Sequence, residues 1–190
     1  ALPIYSAEVA KKIYLEEHPN ANIHVINSLS AGGEVDLIVR KLNQLVAEGL
    51  DFDQVVDVIT TYQSKTKLLF VLAKVDNLVK NGRLSKLIGT VVGLLNIRMV
   101  GEASKTGTLE LLQKARGQKK AIKAAFDELI KAGYNGGHIT IAHRNNEKFI
   151  EQFSELVREK FARAMIEVLP TSGLCSFYAE EGGLLMGYEI

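Results

Sequence analysis

Hydrophobic residues recur along this chain with periods near 3.6 and near two residues, which together predict alternating helices and strands. Val35, Ile38, Leu42 and Leu45 recur at helical spacing, so we predict a helix across them that ends at Gly49. Further helices are predicted at residues 6–17, 84–95 and 118–132, after an Asp51 cap, and after an Asn145 cap. Strands are predicted at residues 22–26, 67–73, 138–143, 163–169 and 183–190, and a hairpin from 97–103 and 108–116.

The order of these elements predicts an α/β fold in two parts. Strand–helix alternation dominates the first part and is typical of a parallel sheet. The hairpin and the later elements are typical of an α+β unit. We therefore predict a parallel-sheet α/β part over residues 1–72, followed by an α+β part over residues 73–190 with a mixed or antiparallel sheet.

The composition restricts the classes of function. The 190 residues carry 23 basic and 22 acidic side chains, a net charge of +1, which argues against a nucleic-acid-binding protein. A single cysteine can form neither an internal disulfide nor a cysteine-rich zinc site, as expected for a reducing compartment. No apolar run approaches the ~20 residues of a membrane span, and no signal peptide opens the sequence. These features predict a soluble cytoplasmic protein without an integral membrane segment.

The segment LPTSGLCSFYAEEGG, residues 169–183, is predicted to be a loop, and it combines small hydroxyl residues, glycines and the only cysteine. Cys175 would be a nucleophile if His143 or His24 approached its thiol, because the thiolate is the reactive form. This is the enzyme hypothesis, a hydrolase-like or transferase α/β domain. The alternative is that Cys175 is a small buried apolar residue, which is the commoner role of a lone cysteine. The flanking residues match no known nucleophile signature, so we predict no catalytic residue.

Two other segments offer polar contacts. SAGGE, residues 30–34, precedes a helix, and its backbone N–H groups could receive an anion or a ligand head group. The alternative is that Ser30 is a simple N-cap beside a glycine turn. KARGQKK, residues 114–120, is the only local basic cluster, and it is either a solvated helix start or a docking patch. The four histidines have no metal-binding spacing, so we predict no metal site.

Several segments resemble the DegV family. LVKNGRLSKLIGTVVGLLNIRMV, followed by a hairpin and KARGQKKAI, is similar to that family's Leu-x-x-Gly-Gly-Arg-Ile/Leu-Ser segment, apolar helix, Leu-Asn-Ile-Lys-Pro and Lys-x-Arg-Gly. VINSLSAGGEVDLIVRKLNQLVAEG resembles the family's Asp-Ser strand end and the helix after it. The resemblance covers essentially the whole chain. It implies a bacterial fatty-acid-binding protein that is not an enzyme and needs no cofactor. Such a protein presents a long-chain fatty acid to a separate fatty acid kinase protein, which forms an acyl-phosphate for phospholipid synthesis.

The resemblance also implies the site residues. The predicted lipid-binding residues are Ser28, Ser30, Thr171, Ser172 and Gly173, and the residues predicted to contact the partner or its phosphate are Arg116 and Arg98. Arginine suits a phosphate contact, because its planar fork can bind two oxygens at once. The alternative for Arg116 is a solvated position at the start of a helix.

The chain departs from the family pattern in three ways. Met99 replaces a proline, and Asn81 replaces a glycine. The family's Gly-Thr-His-Thr-Gly-Pro-Gly loop is replaced by PTSGLCSFYAEEGG, which lacks the histidine that contacts the head group. The start, ALPIYSA, resembles the end of a Ser-Gly-Thr-Tyr-x-Ser-Ala stretch, so we expect residues 1–72 to be the remnant of a longer domain whose upstream Thr and Ser bind the carboxylate.

A lipid site is also physically reasonable for this composition. Burying about fourteen methylenes at ~0.8 kcal/mol each contributes ~11 kcal/mol before ordering costs are subtracted. A buried carboxylate without partners is costly, and small hydroxyls beside glycines supply donors. We therefore predict that the segment around Cys175 holds a carboxyl group rather than attacking one.

Overall fold

A computed structural model of the chain describes residues 2–84 and 96–190. The helix predicted at 84–95 lies outside the described residues except for Leu84. The described helices are α1 (Leu2–Glu17), α2 (Gly33–Ala47), α3 (Phe52–Gln63), α4 (Asp76–Lys80), α5 (Gln118–Lys131), α6 (Glu147–Lys160) and α7 (Gly173–Ala179). The described strands are β1 (Thr66–Leu72), β2 (Ile97–Ala103), β3 (Leu109–Arg116), β4 (His138–His143), β5 (Met165–Pro170) and β6 (Leu184–Glu189).

The described strands form one mixed sheet in the order β3-β2-β1-β6-β4-β5. Only β4 and β5 pair in parallel, and the other four pairings are antiparallel. The predicted α/β class and mixed sheet are confirmed, but the parallel sheet predicted for the first part is wrong. β1 lies at the centre of the sheet, between β2, the next described strand along the chain, and β6, the last one. The division into residues 1–72 and 73–190 stays a prediction.

The strand predicted at residues 22–26 is also wrong, because this segment belongs to no helix and pairs with no strand of the described sheet. Ile23 and Val25 are half-buried while Asn22 and His24 are exposed, which is the alternation that predicted the strand. A strand also requires a neighbour to exchange hydrogen bonds with, and none of the described residues pairs with this segment. The segment leads instead into the loop before α2.

One face of the sheet is covered by α5 and α6, each 14 residues long. Both helices bury an apolar stripe against the sheet, as their periodicity predicts. Phe149 and Phe153 of α6 stack with ring centroids 6.0 Å apart, and Phe153 is fully buried. The packed core therefore lies on this face, which we call the helix face.

The other face is covered by α2 and by several further elements. Gly33 at the start of α2 and Gly187 of β6 allow direct backbone contact, since a Cβ at Gly187 would overlap Glu34 and one at Gly33 would overlap the Thr140 carbonyl. The remaining cover comes from α1, the loop before α2, the five-residue α4 and the seven-residue α7. We call this the cavity face.

Two local predictions need correction. The segment around Cys175 was predicted as a loop, but it contains α7, whose first turn is closed by the Cys175 and Ser176 N–H groups donating to the Ser172 carbonyl. The N-cap of α6 is Asn146 rather than Asn145. The Asn146 amide donates to the Gly182 carbonyl at 2.7 Å, so it ties the loop after β4 to the start of β6.

Candidate functional site

A cavity of about 770 Å³ lies on the cavity face. Its floor is the set of alternate residues Leu68, Phe70 and Leu72 of β1, with Leu185 of the neighbouring strand β6. These side chains share a face because successive residues of a strand point to opposite sides. Along β1 the floor extends for roughly 13 Å, at about 3.3 Å per residue. The cavity is long, apolar and suited to a chain-like molecule.

At one end the cavity is closed by two loops. Thr106, Gly107 and Thr108 of the β2–β3 turn line the cavity and pack against Leu29 of the loop before α2. A Cβ on Gly107 would lie 3.1 Å from the Leu29 carbonyl oxygen, so this close approach favours glycine. The Ser104 hydroxyl fixes the turn by accepting from the backbone N–H groups of Thr106 and Thr108.

At the same end, Ser28 and Ser30 form a polar wall of the cavity. The Ser30 N–H donates to the Ser28 hydroxyl oxygen at 3.3 Å. The Ser30 hydroxyl donates to one oxygen of Glu34, and the Thr66 hydroxyl donates to the other at 2.8 Å. Glu34 is buried, with 6% of its surface exposed. The structure thus connects two cavity-lining serines to a buried carboxylate in the first turn of α2.

At the other end the cavity is lined by α7 and by the residues after α4. Leu174, Cys175, Tyr178 and Ala179 face the cavity at the spacing expected for one side of a helix. Arg83 also lines it, and its guanidinium carbon lies 5.8 Å from the Tyr178 ring centroid. This end therefore carries a cation beside an aromatic ring.

The five predicted lipid-binding residues do not form one cluster. Ser28 and Ser30 lie in the wall near Thr66, at the start of β1. Thr171, Ser172 and Gly173 precede the cavity-facing part of α7 and do not themselves line the cavity. The Thr171 N–H donates to the His143 carbonyl, and the Thr171 and Ser176 hydroxyls lie 2.8 Å apart. The two serines therefore lie in the wall at one end of the cavity, and the other three residues lie outside the lining, beside the opposite end.

Arg98 and Arg116 lie outside the cavity lining, at the end of the hairpin remote from its turn. Arg98 is paired with Ala115, and Arg116 with Ile97, so the two side chains start from opposite faces of the β2–β3 pair. Arg116 is exposed, as are Lys119 and Lys120 at the start of α5. No ion pair joins Arg116 to any other residue within 2–84 or 96–190.

Cys175 is a half-buried free thiol in the cavity wall. Its sulfur has no hydrogen-bond partner among the described residues, and the Nδ1 of His143 accepts instead from the Asn146 N–H at 3.2 Å. Within the described part of the chain, no group of three or more potential metal ligands is present. None of the described helices is long and apolar enough to cross a membrane.

The sequence reasoning missed two residues of chemical interest, one behind the cavity wall and one in the cavity lining. Glu34 stands within SAGGE, and a carboxylate in the first turn of a helix is ordinarily solvated. Its burial could be recognised only once Gly187 was seen to bring α2 onto the sheet. Arg83 lies within the LVKNGR segment but was not among the predicted site residues, although a cation directly before an apolar segment is a visible signal.

Comparison with known proteins gives consistent matches. Residues 4–188 match the family model described as an uncharacterised protein of the DegV family. A DegV domain-containing protein of Streptococcus gordonii is 77% identical over 185 residues, which are 97% of this chain and 66% of that protein. The chain therefore spans about two thirds of the length of this relative.

Two solved structures are similar over almost all of this chain. The Streptococcus pneumoniae Fatty Acid Kinase (Fak) B3 protein, loaded with linoleic acid, is 74% identical with a TM-score of 0.96, over 98% of this chain and 66% of that one. A DegV family protein from Eubacterium eligens, loaded with heptadecanoic acid, is 37% identical with a TM-score of 0.93, over 98% of this chain and 67% of that one.

Proposed function

We propose that this chain, which belongs to the DegV family, binds a long-chain fatty acid in the cavity and presents its carboxyl group to a fatty acid kinase protein. The kinase would then form an acyl-phosphate, and this chain would act as a carrier without chemistry of its own. No cofactor is required in this proposal besides the bound fatty acid. The resemblance further implies that the exchange takes place in the cytoplasm.

The observation that carries the proposal is the cavity itself. Its volume of about 770 Å³ lies within the ~300–1,000 Å³ of typical small-molecule sites, and its floor is a row of apolar side chains. A protein that is 74% identical, with the same fold, is loaded with linoleic acid. Each buried methylene contributes ~0.8 kcal/mol, so an acyl chain lying along this floor gains enough free energy to offset its ordering.

We assign lipid contact to Ser28, Ser30, Thr171, Ser172 and Gly173. The first two are supported by their position in the cavity wall. The other three are supported by their place directly before the cavity-facing residues of α7, at the end that also holds Arg83. An anionic carboxylate is stabilised by a guanidinium and by hydroxyl donors, so this end suits the acid group.

We assign contact with the partner or its phosphate to Arg116 and Arg98. Arg116 is supported by its exposure and by the lysines at positions 119 and 120, which add positive field around it. A guanidinium can bind two phosphate oxygens in a fixed geometry, whereas lysine supplies a point charge. Arg98 is half-buried and lies at the same end of the hairpin.

The binding proposal is tested by native mass spectrometry of the chain purified from bacterial cells. We expect a retained adduct with the mass of a long-chain fatty acid, released when the protein is denatured. Added palmitic acid should also bind to the delipidated chain. A chain that retains nothing and binds no added fatty acid would contradict the proposal.

The partner proposal is tested by the change Arg116→Ala in a reconstituted kinase assay. We expect unchanged fatty-acid binding and weaker phosphorylation, with Arg116→Lys restoring only part of the rate. Arg158→Ala, which removes an exposed arginine from the last turn of α6, is the matched control and should have no effect. Unchanged phosphorylation in Arg116→Ala would remove this residue from the partner contact.

A further inference from the structure

The cavity has two chemically different polar ends. The end near α7 contains the guanidinium of Arg83, which suits an anionic group. The end near α2 contains Ser28 and Ser30, backed by the buried carboxylate of Glu34. A second carboxylate placed against these serines would lie one hydroxyl group away from Glu34, and like charges at that separation disfavour each other. The serine end is therefore unsuited to the acid group that the Arg83 end accommodates.

The hydrogen bonds at the serine end define what it can accept. The Ser30 hydroxyl donates its only hydrogen to Glu34, so its oxygen offers a lone pair to the cavity. The Ser28 oxygen accepts from the Ser30 N–H, and its own hydrogen has no acceptor among the described residues. The wall thus presents one acceptor and one donor side by side. A neutral hydroxyl group, which both donates and accepts, complements this pair, whereas a terminal methyl group satisfies neither.

Glu34 fixes the orientation of the Ser30 hydroxyl in this wall. Thr66 donates to its second oxygen at 2.8 Å, and the first turn of α2 favours a negative charge at this position. Gly33 and Gly187 bring the start of α2 onto the sheet, so the Glu34 side chain begins from a backbone position close to the strands and is buried there. Glu34 therefore acts through Ser30 as a positioning residue.

We propose that the Ser28–Ser30–Glu34 end is a second polar subsite that receives the hydroxyl group of a long-chain fatty acid oxygenated towards its far end. The carboxylate of that ligand lies at the Arg83 end, and its chain covers the β1 floor between the two. This inference rests on the proposed fatty-acid binding and adds a ligand class to it. It also gives Ser28 and Ser30 a role distinct from that of the residues before α7.

The test compares palmitic acid with its ω-hydroxy derivative, which differ only at the far end of the same chain. Competitive displacement of a fluorescent fatty acid from the delipidated chain gives both dissociation constants. We expect the hydroxy acid to bind about fivefold tighter, as one additional satisfied hydrogen bond would provide. The ratio of the two constants cancels any general change in cavity shape or stability.

Three variants test which residues cause the preference for the hydroxy acid. Ser28→Ala should reduce the ratio to about one, and Glu34→Gln should reduce it because the amide can donate to Ser30 and release the fixed hydroxyl. Glu128→Gln is the matched control: Glu128 is also buried and accepts from Gln113 at 2.6 Å, but it lies on the helix face, so the ratio should stay at the wild-type value.

The outcomes separate the two proposals. If neither acid binds, the proposed function fails. If both bind equally tightly in the unmodified chain, fatty-acid binding stands and the second subsite is refuted, without any need for a variant to fold. A preference for the hydroxy acid that survives Ser28→Ala would also overturn the assignment to these serines.

Discussion

The two faces of the sheet are built from the same strands but have opposite packing. Leu69 and Val71 of β1 point into the core of the helix face, whereas Leu68 and Phe70, from the same strand, form the floor of a cavity. The difference lies in the cover. The amphipathic helices α5 and α6 pack side by side on one face. On the other face α2 lies mainly over β6 and β4, and the cover near β1 comes from α1, the short helices α4 and α7, a turn and a loop. A cavity remains where the covering elements are too short to fill it.

The comparison also separates stability from function. Protein interiors are packed as densely as organic crystals, so a large void on one side must be compensated by good packing elsewhere. The helix face supplies that packing, with a large cluster of buried side chains that includes Leu129, Phe153 and Tyr188. The cavity face can then keep space for a ligand. Mutations on the two faces should therefore affect different properties.

The largest effect is expected from truncating an aromatic residue on the helix face. Phe153→Ala removes a fully buried ring and should lower the free energy of unfolding by about 3–5 kcal/mol. Phe177→Ala, on α7 of the cavity face, removes a ring that is 44% exposed, and it should cost well under ~1 kcal/mol. Denaturant unfolding measures both values. Equal losses would show that the two faces do not differ in packing.

Enlarging an alanine should also distinguish the two faces, because the added atoms overfill the core on one face and occupy cavity space on the other. Ala125→Leu overfills the helix-face core, where Ala125 is fully buried, and should cost about 1–3 kcal/mol of unfolding free energy. Ala103→Leu places the same added atoms in the cavity, so it should cost little stability but weaken palmitic acid binding severalfold. Denaturation and displacement assays on both variants give the two pairs of values. The comparison fails if Ala103→Leu destabilises the chain without affecting binding.

Cys175 provides a smaller test on the cavity face. Cys175→Ser should retain fatty acid close to the wild-type level, because the thiol only lines the wall. In the unmodified chain, bound palmitic acid should slow alkylation of the thiol by a maleimide, since ligand and reagent compete for the same space. Rapid alkylation of the native thiol combined with complete loss of function in Cys175→Ser would favour the enzyme hypothesis.

The smallest effect at neutral pH is expected for Tyr188→Phe on the helix face. The Tyr188 hydroxyl is buried without a hydrogen-bond partner among the described residues, so its removal should change stability by less than ~1 kcal/mol at pH 7. Burial raises the pKa of Tyr188 above its usual range, and the nearby carboxylates, Glu102 first among them, raise it further.

The pH dependence of this variant follows from that direction. A phenol with a raised pKa keeps its proton in the folded state, while the unfolded chain releases it near pH 10. The contribution of the protonated Tyr188 phenol to the free energy of unfolding is therefore complete below pH ~10, and it is lost as pH rises through the pKa of the folded state. We expect the free energy of unfolding, measured with denaturant, to decrease less between pH 8 and pH 11 for Tyr188→Phe than for the unmodified chain. An equal loss in both would contradict the shift.

Much of the local structure was determined by the sequence itself. Asp51 caps α3 as predicted, since its side chain accepts from the Gln54 N–H at 2.9 Å while the Gln54 side chain accepts from the Asp51 N–H at 3.0 Å. The helical spacing of Ile38 and Leu45 predicted α2, and the β2–β3 hairpin formed at the predicted place. These features depend on neighbours within a few residues, which a pattern in the sequence can show.

The candidate site was only partly visible in the sequence. A family resemblance pointed to Ser28 and Ser30, and both lie in the cavity wall. The same resemblance selected Thr171 and its neighbours without showing that they lie at the other end. Glu34 was not among the predicted site residues, although it is the carboxylate behind the serine wall.

Only the tertiary structure decided how distant segments meet. Residues 22–26 have the alternation of a strand but no partner, whereas β1 lies at the centre of the sheet because Val71 pairs with Val100 on one side and Leu184 on the other. The burial of Glu34 likewise depends on Gly187, more than 150 positions away in the chain. Periodicity identifies which residues can pair or be buried, but the choice of neighbour depends on contacts between segments far apart in sequence. That choice placed the cavity, its two polar ends and the packed core on opposite sides of one sheet.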